Sequence, residues 1–252
     1  MKINKDKLLN LMLVIIPFAC IFIAWQIGSR FTNEFILPSI GQTLSGLVEV
    51  LGQKTFYSAL FDTLLRSLFA FATSFFIAFI LAFLSKISKK ADVMITPVIS
   101  VIRALPTIAV VLLILLWVDD DNIAPIIVTS LVVLPTTYSG LRDAFYSVDD
   151  EMIKALRLFN VSTPNLLAKV YIPQILPSTL LAIGGGFSLN LKLMVAAEVI
   201  VATPNSIGSL LNYLKSYQVM SKMIAIVLVA VLIGISVEAI FKVLSKKVGK
   251  WQ

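Results

Sequence analysis

The strongest constraint on the fold is a set of long apolar runs that recur along the chain and are separated by short polar stretches. Apolar residues make up 58% of the 252 residues and charged residues 14%, which is about half the charged share of an ordinary soluble domain. A helix of about 20 apolar residues crosses the roughly 30 Å hydrocarbon core of a bilayer. The sequence therefore predicts an all-α membrane protein with one compact domain over residues 1–252.

Six of these runs are long enough to cross a membrane. The first follows three lysines and imitates a secretory signal, but it is longer than the 7–15 apolar residues of a signal peptide and lacks a small-residue cleavage site. We interpret it as an uncleaved span. The third is broken by Pro97 and Pro106. The predicted spans are Leu8–Gly28, Thr63–Leu84, Val93–Val118, Ile123–Tyr138, Ile175–Val201 and Met223–Val243.

The distribution of basic residues predicts the orientation. The net charge of +7 would suggest nucleic acid in a soluble protein, but here the bases cluster at the ends of apolar runs. With the N-terminus inside, fourteen Lys and Arg fall on inner segments and four on outer ones. The excess of basic residues on cytoplasmic loops then places both termini and the stretch Asp149–Pro177 in the cytoplasm. The acidic run Asp119–Asp121 falls outside.

Two outer segments are longer than turns. Ser29–Tyr57 carries apolar residues at near-helical spacing, which is typical of a short amphipathic helix on the membrane surface. Thr203–Ser221 opens with the helix-stopping residues Pro204, Asn205 and Gly208. Each segment is a candidate cap over a pore or platform for an outside partner.

The inner stretch Asp149–Pro177, "DDEMIKALRLFNVSTPNLLAKVYIPQILP", resembles soluble protein. Its acidic start favours a helix N-terminus, and Asn160 tolerates the left-handed conformation of a helix stop. Ser162 or Thr163 can cap a second helix that has Pro164 at its first position. We expect two short helices that meet at a sharp turn, with Pro173 and Pro177 at the entrance to span five. An ordinary amphipathic connector would show the same pattern.

Several chemistries are excluded by composition. Histidine is absent and Cys20 is the only cysteine, so these side chains offer neither a metal cluster nor an internal disulfide. We expect Cys20 to be a buried thiol. No GxxxxGK[ST] frame occurs, so the chain does not hydrolyse ATP through a P-loop of its own. We predict that it is not an enzyme and needs no cofactor.

A few polar residues lie inside the predicted spans. Charges at that depth are costly and normally face a protein interior or a water-filled path. The run Gly184–Gly186 permits close helix packing or local unwinding where a cavity is lined. The candidates for a translocation path or gate are Arg103, Pro106, Gly184, Gly185, Gly186, Asn190, Lys192 and Glu198.

Each of these candidates has a structural alternative. Arg103 and Glu198 fit a buried ion pair or a subunit contact, and the glycines fit tight packing. For Glu198, which lies just before Pro204, we expect a hydrogen bond or ion pair that holds Thr203–Gly208 in place as an outer gate, because a carboxylate would repel an anionic substrate.

The inner stretch is similar to the "EAA" motif of permeases of ATP-binding-cassette (ABC) importers. That motif has Glu-Ala-Ala, then Gly after three intervening residues, then a hydrophobic-Pro pair. The Glu-Ala-Ala positions hold Lys154, Ala155 and Leu156 here, the Gly position holds Asn160, and Ile172-Pro173 closes the motif. Lys154 cannot make the contacts of the family's Glu.

The chain as a whole resembles the nitrate/sulfonate/taurine-type permease family, which are binding-protein-dependent inner-membrane components. The similarity covers about 200 residues in order, from "ILPSIGQTL" through "TLLRSLFAFATSFFIAFILAFL", "PVISVIRALPTIAVVLLILLW" and "GLRDAFYSVDDE" to "LNLKLMVAAEVI".

This resemblance implies a type I importer transmembrane domain in a prokaryotic inner membrane. Residues 150–173 would form a cytoplasmic coupling loop whose Ala155–Lys169 region docks on an ATPase subunit. Two permease copies would form a twelve-span pore with two ATPases inside and a solute-binding protein outside. Rocking of spans three to five would then alternate access to a midplane cavity.

Family substrates are small anions such as sulfonates, taurine or nitrate, or vitamin precursors, and the sequence does not choose among them. The positive charges of Arg103 and Lys192 favour an anionic substrate. The alternatives are a secondary transporter or channel that works without ATP, and a membrane scaffold or receptor. A secondary transporter would show inverted-repeat symmetry between the halves of the chain, and we see none.

Overall fold

The computed structural model describes residues 5–159 and 162–249. The described residues form helices joined by short turns. The helices are α1 (Lys5–Phe31), α2 (Ile40–Leu51), α3 (Lys54–Ile87), α4 (Lys89–Ala104), α5 (Thr107–Trp117), α6 (Ile123–Tyr146), α7 (Asp150–Leu158), α8 (Thr163–Leu166), a π-helical turn (Leu167–Tyr171), α9 (Ile172–Val201), α10 (Ile207–Ser216) and α11 (Met220–Gly249).

Four helices within the described residues are long and apolar enough to cross a membrane, and a bent pair makes a fifth candidate. The four are Lys54–Ile87, Ile123–Tyr146, Pro164–Val201 and Met220–Gly249, and the pair is α4 with α5. These candidates correspond to predicted spans two to six. The apolar part of α1, Ile15–Phe31, is shorter, so a sixth span there stays a prediction.

The predicted break in span three lies at its second proline. α4 continues through Pro97, whereas Pro106 caps the start of α5 and the two helices meet at 93°. Leu105, which precedes Pro106, is extended, with ψ 131°, because a following proline disfavours the α-helical conformation. The expectation that Pro97 also breaks the span was wrong.

The chain divides into two compact units, Met1–Tyr57 with Leu211–Leu228, and Ser58–Leu210 with Val229–Gln252. In the first, the predicted amphipathic helix is α2. Its N-cap Ser39 and Gln42 form a reciprocal capping box. Its apolar side chains Leu44 and Val48 are exposed, as an interfacial helix requires. Cys20 on α1 is also exposed, so the prediction of a buried thiol was wrong.

The second unit holds the main core, built around α6 and α9. One buried cluster joins α3, α4 and α6 and includes Ala78, Ile99 and Tyr138. Another joins α5, α6 and the end of α9 and includes Val111, Val128 and Ala197. Small residues on α3, such as Ala70, Ala78 and Ala82, are fully buried, which lets neighbouring helices approach closely.

The second helix of the predicted coupling loop is not a separate short helix. It begins at Thr163 and continues through Pro173 and Pro177 into span five, so that one helix covers Pro164–Val201. The wider π-helical turn Leu167–Tyr171 is separated from Pro173 only by Ile172. The Pro173 ring would clash with the carbonyl of Lys169 in a regular α-helix. The prolines therefore reshape the helix without ending it, contrary to the prediction.

Candidate functional site

The predicted coupling loop starts at a side-chain cap on α7. The Asp149 carboxylate accepts hydrogen bonds from the backbone N–H groups of Glu151, at 2.9 Å, and Met152, at 3.1 Å. These are orphan donors of a helix N-terminus. Val148 and Ile153 are buried, so both ends of this cap are anchored in the core of the second unit. α7 therefore has a fixed orientation relative to the end of α6.

The far end of α7 carries two bare apolar side chains. Leu158 is 85% exposed and Phe159 is 81% exposed, and both lie immediately before residues 160 and 161, which fall outside the described residues. Asn160, the predicted helix stop, is one of those two. An exposed Leu-Phe pair next to the predicted turn is an unusual surface for a loop rich in charge, and it makes the tip a candidate contact site.

The other EAA-like residues lie on α7 and at the start of the following helix. Lys154 and Ala155 are exposed on α7, Leu156 is half-buried, and Pro164 is exposed. Ser162 occupies the position before the second helix. Its carbonyl accepts from Leu166 N–H at 3.0 Å, and its hydroxyl accepts from the Asn165 side-chain amide at 2.9 Å.

Span five contacts the root of α7 through Gln174, which sequence reasoning missed. Its side-chain oxygen accepts from the Asp149 N–H at 3.2 Å, and its amide approaches the Met152 sulfur at 3.4 Å. Pro173 lies next to it on the helix. The root of the predicted loop is thus joined both to α6 and to span five.

A second contact region joins α4 to α6 in antiparallel register. The Arg142 guanidinium makes a bidentate ion pair with Asp92, with both N···O distances 2.8 Å. Further along, Arg103 donates to the Pro135 carbonyl at 3.0 Å and to the Ser139 hydroxyl. The planar guanidinium fork holds a carboxylate in one geometry, so these contacts fix α4 along α6 as one body.

Arg103 also lines a small cavity of about 210 Å³ just before the bend at Pro106. Thr107 and Thr136 add polar groups, and Leu189 and Leu193 of α9 close one wall. The cavity therefore lies where α4, α5, α6 and α9 meet. Of the predicted path residues, Arg103 lines this cavity, and Pro106 lies in the chain between its lining residues Leu105 and Thr107.

The remaining predicted path residues, all on α9, divide between two sides of that helix. Gly184, Gly186, Asn190 and Glu198 are buried, and we call this the packed side. Gly185 and Lys192 are exposed, as is Ala196, which was not among the predicted path residues but lies on the same face, and we call this the open side.

The glycines of the packed side permit close helix approach. A Cβ on Gly184 would lie 2.6 Å from the Phe241 Cβ, and one on Gly186 would lie 2.9 Å from the Phe71 ring. A Cβ on Gly185 would meet nothing within 4 Å. Asn190 donates to the Ser67 carbonyl at 2.8 Å. The helix is continuous through the glycines, so the local unwinding considered for this run is absent from the described helix.

Glu198 is the centre of a buried polar cluster at the end of α9. Its carboxylate accepts from the Thr63 hydroxyl at 2.9 Å, from the Arg66 guanidinium at 3.2 Å and from the Gly208 N–H at 3.4 Å. Its side chain has no exposed surface, and that of Arg66 is 12% exposed. A buried carboxylate needs such partners because desolvation of its charge is costly.

The same cluster holds the segment that follows α9. Arg66 donates to the carbonyls of Pro204, at 3.2 Å, and Asn205, at 3.4 Å, and Thr63 accepts from Ile207 N–H at 3.0 Å. Within the described residues, the ion-pair partner of the Glu198 carboxylate is therefore Arg66 and not Arg103. Arg66 was not among the residues predicted from the sequence for the path or gate.

The residues that end α9 differ in part from those predicted from the sequence. Ala202 takes the left-handed conformation, with φ 60°, and Asn205 follows with φ 43°. Gly208 lies inside α10 and does not stop a helix, contrary to the prediction. A Cβ at Gly208 would lie 2.5 Å from the Glu198 main chain, so this glycine allows α10 to rest directly on the end of α9.

Comparison with known proteins identifies the family. The model of the binding-protein-dependent transport system inner membrane component matches residues 74–250. A putative aliphatic sulfonates transport permease protein, SsuC of Bacillus subtilis, is 20% identical over 236 residues, which cover 93% of this chain and 85% of the relative. The taurine transport system permease protein TauC of Escherichia coli is 23% identical, over 90% of this chain and 84% of its own.

A solved structure shares the fold. The crystal structure of an amino acid ABC transporter with histidines superposes with a TM-score of 0.66 at 20% identity and covers 80% of this chain and 97% of that one. The family match spans well over half of the sequence. The chain therefore belongs to the family of binding-protein-dependent transport system inner membrane components: it is the multi-pass permease component of an ABC transporter and is not itself an ATPase.

Proposed function

We propose that two copies of this chain form the translocation path of a type I ABC importer, with six spans in each copy and both termini in the cytoplasm. Two ATPase subunits bind the predicted coupling loop, residues 150–173, and a solute-binding protein delivers the substrate on the opposite side. The observation that carries this proposal is the exposed pair Leu158 and Phe159 at the tip of a loop whose root is rigidly anchored.

The tip is the docking element. Side chains as large as Leu and Phe gain roughly 1.5–3 kcal/mol each when they are moved from water into an apolar groove, so these two residues supply a large share of a docking interface. Lys154, which stands where the family's motif has Glu, is exposed on the same helix and presents a cation to the partner. We therefore expect the ATPase groove to place an acidic or neutral group opposite it.

Motion of the docked loop passes to α6 and then to α4. Val148 and Ile153 lock α7 to the core, and the Asp92–Arg142 pair locks α4 to α6. Because α4 carries Arg103 to the cavity before the Pro106 bend, ATP-driven movement of the loop displaces the cavity wall. These contacts would connect movement of the docked loop to the rocking of spans three to five.

The open side of α9 and the Arg103 cavity form the path in this proposal. Lys192 and Arg103 supply positive charge, which favours small anions such as sulfonates, taurine or nitrate, or an anionic vitamin precursor. The names of the sulfonate and taurine relatives support that class. A binding assay on the cognate solute-binding protein identifies the substrate. A ligand that carries net positive charge would contradict the anion assignment.

Glu198 and Arg66 form the outer gate in this proposal, because they hold the segment 203–208 against the end of α9. Glu198→Gln keeps the shape and removes the charge. We expect the variant to raise basal, substrate-independent ATPase activity of the assembled transporter and to leave ligand affinity of the solute-binding protein unchanged. Altered substrate choice with normal basal hydrolysis would instead assign Glu198 to substrate recognition.

The docking proposal is tested with the assembled transporter in proteoliposomes. Phe159→Ser should reduce co-purification of the ATPase and abolish substrate-stimulated hydrolysis, whereas Phe159→Leu, the matched control, should retain both. Asn160→Val should uncouple hydrolysis from transport, since a β-branched residue resists the positive φ that the sequence predicts for the helix stop at this position. Full coupling in an assembled Phe159→Ser transporter would refute docking through the tip.

The alternative of an ATP-independent secondary transporter or channel makes the opposite prediction. Uptake by such a protein would persist in cells that lack the ATPase subunit, and it would not need the solute-binding protein. For an importer of the proposed type, loss of either partner abolishes uptake.

A further inference from the structure

A large groove runs along the second unit beside the predicted coupling loop, whose residues Leu166, Leu167 and Tyr171 form part of its wall. The proposed docking through Leu158 and Phe159 does not use this groove. Its volume is about 680 Å³, within the range of small-molecule sites. α3, the end of α6 and the helix Pro164–Val201 form its walls. Since the chain is a multi-pass membrane protein, a groove between these helices that faces the bilayer is open to lipid near the headgroup level.

The groove is apolar at one end and polar at the other. Phe79, Phe83 and Ile175 line the deep part, and Lys86, Tyr146 and Tyr171 line the part nearer the loop. α3 is 34 residues long, or about 51 Å at 1.5 Å per residue. It exceeds the roughly 30 Å hydrocarbon core, so its last turns, with Lys86, reach the interface while Phe79 remains at acyl-chain depth.

The polar end has the chemistry of a headgroup site. The Lys86 ammonium lies 5.2 Å from the centroid of the Tyr146 ring. Lys89 and Lys90 follow in the first turn of α4 and are exposed. Tyrosines prefer the membrane interface, and lysines that cluster there attract anionic lipid. The groove is apolar at one end, carries tyrosines further along and is cationic at the other end. This order suits the acyl chains, the glycerol ester region and the phosphate of one phospholipid.

We propose that this groove binds an anionic phospholipid, with an acyl chain against Phe79, Phe83 and Ile175 and the phosphate beside Lys86. The bound lipid fills space between α3 and the helix that carries the predicted coupling loop. The inference needs only insertion of the chain in a membrane, so it stands whether or not the proposed transport cycle is correct.

The test uses the full chain in nanodiscs that contain a trace of photoreactive phosphatidylglycerol or phosphatidylcholine, each with a diazirine in the acyl chain. We expect phosphatidylglycerol to label peptides that contain Phe79–Phe83 and Ile175 about fivefold more than phosphatidylcholine, the ratio for one lysine contact of about 1 kcal/mol. Lys86→Gln should bring both lipids to the same level. Lys246→Gln, a control on the exposed last turn of α11, should leave the preference intact.

A second variant covers the case in which Lys86→Gln does not fold. Ile175→Trp fills the deep end and should reduce labelling by both lipids without changing the monodispersity of the protein. Equal labelling by the two lipids in the unmodified chain overturns the proposal. So does a crosslink from Phe83→Cys, in a Cys20→Ala background, to an ATPase or second permease in the assembled transporter, because the groove would then belong to a protein partner.

Discussion

The packed and open sides of α9 lie in different environments, although their residues alternate along one helix. Gly184 and Gly185 are neighbours and the same residue type, yet a Cβ on Gly184 would meet Phe241 of α11 and a Cβ on Gly185 would meet nothing within 4 Å. Glu198 and Lys192 are both charged, yet one is enclosed by partners and the other is exposed. Residue type alone therefore does not reveal whether a polar or small residue in a span serves packing or transport.

The largest expected effect separates the two charged residues. Glu198→Ala leaves the Arg66 guanidinium without its carboxylate in a buried site, which costs about 3–5 kcal/mol. We expect a large fall in the thermal midpoint of the purified chain in detergent, followed by fluorescence-detected gel filtration. Lys192→Ala, its counterpart on the open side, should change stability by no more than about 0.5 kcal/mol. Similar losses in both variants would abolish the distinction between the sides.

The glycine pair gives the next effect. Gly184→Ala places a methyl group 2.6 Å from the Phe241 Cβ, and overpacking of this kind costs about 1–3 kcal/mol. Gly185→Ala has open space and should be neutral or stabilise the helix by up to about 1 kcal/mol. The same thermal assay compares them. A greater loss for Gly185→Ala would show that a partner covers the open side closely.

Chemical labelling sharpens the comparison without changing stability. In a Cys20→Ala background, single cysteines at Gly185, Lys192 and Ala196 should react with a water-soluble maleimide in the assembled transporter, because the open side lines the proposed path. Cysteines at Asn190 and Ala197 should be protected. Protection at all five positions throughout the transport cycle would indicate that lipid or protein, and not water, covers the open side.

The smallest effect is expected at Ser188 on the packed side. Its hydroxyl is buried and has no hydrogen-bond partner among the described residues. Removal of an unsatisfied hydroxyl forfeits no bond, so Ser188→Ala should lie within about 0.5 kcal/mol of the unmodified chain. A loss above 1 kcal/mol in the thermal assay would imply a bound water that bridges Ser188 to α11.

The sequence predicted five of the spans well because long apolar runs and the Pro106 break are local signals. It also predicted the amphipathic α2, whose Ser39 cap and apolar spacing are equally local. It did not predict that the second loop helix merges with span five, because Pro173 and Pro177 normally end a helix and the compensating π-helical turn depends on packing. For the site, it selected Glu198 and the glycines by type. It missed Arg66, Gln174 and the Asp92–Arg142 pair, since only the folded chain shows which residues meet.

The helix from Pro164 to Val201 has a mechanical consequence. At 38 residues it is a rod about 57 Å long, with the predicted coupling loop at one end and Glu198 less than one turn from the other. The π-helical turn Leu167–Tyr171, where Ile172 N–H bonds to the Leu167 carbonyl, is its compliant joint, because the regular bonding ladder changes there. Beyond that joint we expect the rod to act as a lever: a sideways push near the loop should tilt it about its packed midsection and move the Glu198 end in the opposite direction.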